Sequence, residues 1–151
     1  MKQINMIILT LLLSGCIVTP TPQPTSTINV PFVIKQEENP FAPKPEDTSK
    51  RQTGVILTSL NLSEHPDLTP VRAELNILGS VPSSCHELRV KINPPTAAYE
   101  IFIEIYSIVN PNLNCEDVFQ QIETSILLGV YSAGRYSIWV NDELVGDIVS
   151  Y

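Results

Sequence analysis

Three cysteines and two histidines carry most of the chemistry open to this sequence. Two of the cysteines sit beside other ligand-type groups, in Cys85-His86-Glu87 and Cys115-Glu116-Asp117. Zinc takes thiolates, imidazoles and carboxylates, but this spacing fits no zinc pattern, and a structural site would need two more soft ligands. No metal site is expected. No catalytic set stands out either. There is no G-x-S-x-G elbow, no H-E-x-x-H pair and no phosphate-binding glycine loop, with only six glycines in the whole chain. His65 and His86 fall in polar stretches and read as exposed loop residues. No catalytic residue and no cofactor is therefore assigned.

Cys16 stands in different surroundings. The chain opens MKQINMIILTLLLSGC, with one positive charge at Lys2 and an apolar run from Met6 to Leu13 broken only by Thr10. A bilayer span takes roughly 20 apolar residues, so this run is too short. Charged, apolar and small-residue regions in that order are those of a secretory signal peptide. The closing Leu13-Ser14-Gly15-Cys16 resembles a bacterial lipobox, and an Ala-x-Ala-like cleavage site is absent. The resemblance implies a lipoprotein with residues 1–15 as its signal peptide, and with Cys16 lipidated by diacylglyceryl and palmitate-type chains. Each buried methylene adds about 0.8 kcal/mol of membrane affinity, so two or three chains anchor firmly where one would not. The expected location is the extracytoplasmic face of the cell membrane.

With Cys16 assigned to lipid, Cys85 and Cys115 remain as an even pair. In an exported protein such a pair reads as one disulfide. The formal net charge is −7, and loss of Lys2 with the signal peptide makes it −8 (−7 − 1). An acidic chain without a basic patch is a poor partner for nucleic acid.

Residues 16–52 read as the lipidated cysteine followed by a disordered, proline-rich linker. They hold seven of the 13 prolines, including Pro20-Thr21-Pro22-Gln23-Pro24, and no glycine. Such a tract is a semi-rigid spacer, reaching at most about 110 Å at about 3.1 Å per residue. Residues 28–34, INVPFVI, are apolar enough to dock on the domain or to add an edge strand, although Pro31 argues against a central strand.

Residues 53–151 show period-2 patterning in short runs separated by turn signals. Val71, Ala73, Leu75 and Ile77 alternate with polar residues. So do Leu88, Val90 and Ile92, then Ile101, Ile103 and Ile105, and later Tyr136, Ile138 and Val140. Ile126 and Leu128 complete the expected core. Asn141-Asp142 is a tight-hairpin signal. About seven strands and no convincing helix predict an all-β fold, an antiparallel immunoglobulin-like β-sandwich, with a small β-barrel as the alternative. The stretch Leu128-Gly129 through Ala133-Gly134-Arg135-Tyr136 to Val140-Asn141-Asp142 resembles the closing hairpin of exported bacterial immunoglobulin-like domains. Asp142 replaces the usual glycine. The two cysteines lie at strand-to-loop boundaries with no Trp between them, so the disulfide is expected to staple loops at one end of the sandwich.

One surface feature rises above this background. Phe102 and Tyr106 point opposite to the isoleucines of their strand, and Trp139 points opposite to Ile138 and Val140. If the two strands are neighbours, Phe102, Tyr106 and Trp139 share a solvent face, a candidate binding face beside Glu100, Glu104 and Arg135. The expected function is a membrane-anchored, non-catalytic binding or structural module. Its partners would be the membrane, through the anchor, and an envelope protein, peptide or glycan. The alternative is a loop-based enzyme or a protease-inhibitor-like domain.

Overall fold

Alternation of apolar and polar residues is expressed as strands throughout the domain. The computed structural model describes residues 30–151. The proline-containing lead supplies two short strands, β1 (Val33–Lys35) and β2 (Arg51–Thr53), with a 3-10 turn at Pro45–Ser49 between them. A long hairpin follows, β3 (Ile56–His65) and β4 (Arg72–Val81), then β5 (Glu87–Ile92) and β6 (Glu100–Val109). The chain ends with β7 (Gln120–Leu127), the two-residue β8 (Val130–Tyr131), β9 (Gly134–Val140) and β10 (Glu143–Ser150). The seven expected strands are β3, β4, β5, β6, β7, β9 and β10. The sheets do not close into a barrel, so the sandwich rather than the barrel is the fold.

One layer is the sheet β3-β4-β7, and the other runs β10-β9-β6 with β5 on the far edge of β6. Among the described residues pairing is antiparallel except between β6 and β9, which run parallel over Glu100–Ile103 and Ser137–Val140. Strands β7 and β8 intervene between them, which supplies the crossover that parallel neighbours need. The core lies between the layers. Leu75, Val90, Ile101, Ile126, Leu128, Tyr136 and Ile138 are fully enclosed there, each aliphatic one contributing about 1.5–3 kcal/mol. Of the expected core, Val71 is exposed because β4 begins only at Arg72, and Ile92, at the end of β5, is partly buried. Sequence reading missed Val81, Ile108, Val130, Tyr131 and Ile148, all buried.

The spacer reading of residues 16–52 needs correction from Val33 onward. Strand β1 pairs with β8 and β2 with β6. Between them Asn39 Nδ2 donates to Val90 O (2.7 Å), the Val90 amide donates to Phe41 O (2.9 Å), and the Phe41 ring packs on the core. Two arginines expected to face water are buried by this return of the lead. Arg72 donates to Glu38 Oε1 (2.6 Å), Leu128 O (2.9 Å) and Gln36 O (3.1 Å). Arg89 grips Asp47 through two bonds of 2.7 and 2.9 Å. The physical reason is local. The docking residues Glu38, Asn39, Phe41 and Asp47 are irregularly spaced, so no period betrays the docking. Within residues 28–34, Pro31 and Val33 turn inward while Val30, Phe32 and Ile34 stay exposed.

Candidate binding site

The site is built on β6. Its period of two sends Ile101, Ile103 and Ile105 into the core and Phe102, Glu104 and Tyr106 outward. Parallel pairing sets Phe102 opposite Trp139. Their rings are nearly parallel, at 22°, with centroids 6.2 Å apart. Both are half-buried, and the indole N–H of Trp139 is enclosed without an acceptor among the described residues. Trp139 is thus a backing for Phe102 rather than a fully exposed anchor.

A gap in the sheet shapes the space beside these rings. Strands β9 and β2 lie end to end along the same edge of β6, the first ending at Ile103 and the second at Ser107. Ile105 between them has no strand partner on that edge among the described residues. The side chain of Asn141 takes the place of one. Its Oδ1 accepts from the Ile105 amide (2.8 Å) and its Nδ2 donates to Ile105 O (2.9 Å). Asn141 and Asp142 form the β9–β10 turn with φ of 47° and 68°, the left-handed region that Asn and Asp tolerate.

The gap opens as a groove of about 880 Å³, its floor formed by β6. Gln52, Thr53 and Gly54 form one wall, and Asn141 and Asp142 the other. Phe102 and Tyr106 line it along β6, with Asn93 and Glu104 beside them. Glu104 accepts from Lys91 Nζ (2.6 Å) and Asn93 Nδ2 (3.2 Å). The Lys91 bond, then that of Asn93, holds its carboxyl below the usual carboxylate range. Of the three aromatics singled out in the sequence, Phe102 and Tyr106 line the groove and Trp139 supports it from behind. Glu100 and Arg135 are engaged elsewhere, with Thr96 and Asp147. The wall at Gln52–Gly54 was not foreseen, because the pairing of β2 with β6 that places it is a matter of sheet order.

Neither histidine sits in a nucleophile–base–orienter arrangement. His65 Nε2 lies 3.0 Å from Glu74 Oε2, and Ser125 Oγ donates to Glu74 Oε1 (2.7 Å), so the carboxylate rather than the imidazole receives the hydroxyl. Ser83 Oγ meets His86 Nδ1 at 2.8 Å, but Ser83 is buried and also accepts the Cys85 amide, bracing the β4–β5 turn. Among the described residues no three ligand-type side chains group to hold a metal ion, and no helix is long and apolar enough to cross a membrane. Cys85 and Cys115 form the expected disulfide, joining the β4–β5 turn to the β6–β7 connection with Cα atoms 6.1 Å apart. Cys16 and its leader lie outside the described residues.

Residues 75–149 match the ORF11 beta-sandwich domain. The matched stretch is 75 residues (149 − 75 + 1), just under half of the 151. It runs from within β4 to Val149 within β10 and so contains the disulfide, β6 and the Asn141–Asp142 turn. Strands β1, β2 and β3, and with them the Gln52–Gly54 wall of the groove, lie outside it. No curated protein and no solved structure matches the chain.

Proposed function

We propose that this chain is a lipid-anchored extracytoplasmic protein whose β-sandwich is a non-catalytic binding module, with the Phe102–Tyr106 groove as its contact surface. The groove is the observation that carries the reading. Aromatic, amide and carboxylate groups converge there on open space of about 880 Å³. Two further features support export and anchoring: the Leu13-Ser14-Gly15-Cys16 ending of an apolar leader, and a disulfide, which persists in oxidising compartments.

Fractionation and acyl labelling test the anchor. The wild-type chain is expected to take up labelled palmitate and to sediment with membranes, and Cys16→Ser to lose both. A Cys16→Ser protein that is still labelled and still membrane-bound overturns the anchor. Hydrolysis of ester, peptide or glycosidic substrates by the purified protein, abolished by His65→Ala or Ser125→Ala, overturns the non-catalytic reading.

A further inference from the structure

The groove has features that narrow its ligand. Its two aromatic side chains stand four residues apart on one strand, about 13 Å at about 3.3 Å per residue. That spacing suits a chain of rings lying along β6 rather than one small molecule in a closed pocket. The groove is open to solvent, and its volume of about 880 Å³ falls within the roughly 300–1,000 Å³ of ligand clefts. Phe102 is held by its stack on Trp139, so its ring is fixed before a ligand arrives, which lowers the entropy cost of binding.

The lining carries two carboxylates, Glu104 and Asp142, and no cation. Glu104 is already matched by Lys91, leaving Asp142 as the one ionised group of the groove without an ion partner among the described residues. The others are the amides of Gln52 and Asn93 and the Tyr106 hydroxyl. Amides and carboxylates serve paired hydroxyls that must both donate and accept. Aromatic rings serve the apolar C–H faces of the same molecule. Neutral saccharide rings combine such faces with a belt of hydroxyls.

We propose that the groove binds a neutral oligosaccharide. Phe102 and Tyr106 stack on two sugar rings of one chain, and Gln52, Asn93, Glu104 and Asp142 take their hydroxyls. This rests on the binding-module reading and names its ligand class.

The test uses Trp139, the sole tryptophan of the chain, as a reporter beside the groove. The purified protein from residue 17 onward is titrated with linear tetrasaccharides of β-glucose, β-N-acetylglucosamine and α-mannose. The same protein is titrated separately with tetra-lysine. At least one tetrasaccharide is expected to give a saturable change in fluorescence, confirmed by calorimetry. Tyr106→Ala should weaken that binding at least tenfold. Asp142→Asn, which keeps a residue suited to the left-handed turn, should weaken it threefold or more with an unchanged melting curve. Leu144→Ala, exposed on β10, should leave it unchanged. Silence toward all three sugars at 10 mM, with tetra-lysine bound in a Tyr106-dependent way, overturns the saccharide assignment and leaves the binding module standing. Silence toward all four probes overturns both. Sugar binding that survives Tyr106→Ala and Asp142→Asn overturns the location.

Discussion

Arg89 shows how a single side chain can reverse its expected role. The strand pattern sends it to water, yet its guanidinium is 5% exposed, between Asp47 and Glu87. The hydrogen bonds from Arg89, more than any other contact, push the Asp47 carboxyl down to about 2. A carboxylate with a depressed folded value adds stability above its ordinary value near 3.8 and loses it as pH falls toward 2. The urea midpoint of the wild type should therefore fall between pH 4 and pH 2, and Asp47→Asn should lower the midpoint at pH 7 and flatten that fall. His65 has the opposite sign. Glu74 beside it raises its value above 6.5, so its contribution is full below pH 6.5 and is lost as pH rises through the folded value; His65→Gln should remove that slope. Asn141 is a third such residue. Asn141→Ala strands the Ile105 amide and carbonyl, at about 1–3 kcal/mol for each buried group left unpaired. The midpoint should fall accordingly, and Asn141→Gly should not restore it. Trp139→Ala should cost about 2 kcal/mol, below the roughly 3–5 kcal/mol of a core aromatic, because the ring is only half-buried.

At the scale of elements, the legible and the hidden parts separate cleanly. Ile101, Ile103 and Ile105 against Phe102, Glu104 and Tyr106 mark a strand with two faces, and the structure keeps both. Asn141-Asp142 marks a turn, and positive φ at both positions delivers it. The neighbour relation of β6 and β9, the gap at Ile105 and the Gln52–Gly54 wall depend on sheet order, which local pattern does not encode. The lead was hidden for a different reason. Its prolines describe how the backbone is stiffened, while its docking rests on two short strand pairings and on the scattered side chains of Glu38, Asn39, Phe41 and Asp47. A fragment of residues 53–151 removes the carboxylate partners Glu38 and Asp47 of two buried arginines. It also loses the β1–β8 pairing, most of β2 and the Phe41 packing on the core, so this fragment should melt well below residues 30–151. Native proteolysis should spare residues 33–53.

At the scale of the molecule, the disulfide binds a connection leaving each layer. It closes a loop of about 30 residues, for which chain entropy predicts a stabilisation of about 3–4 kcal/mol. Thermal melts with and without reductant should differ by about that amount, and the denatured, unreduced protein should show no reactive thiol at Cys85 or Cys115. The tie between β1 and β8 acts on another axis, that of time. Val33 and its partner Tyr131 are 98 positions apart (131 − 33), and the Phe32 amide reaches the Ser132 hydroxyl across 100. The β3–β4 hairpin needs only neighbouring sequence and can form while synthesis continues. Strand β1 must wait, because loop closure is paid before such distant contacts return anything. The first of the described strands to be made thus stays unlatched until β8 has followed. A polypeptide stopped short of Val130 would carry a loose front end, open to proteases, as a mark that its other end is missing.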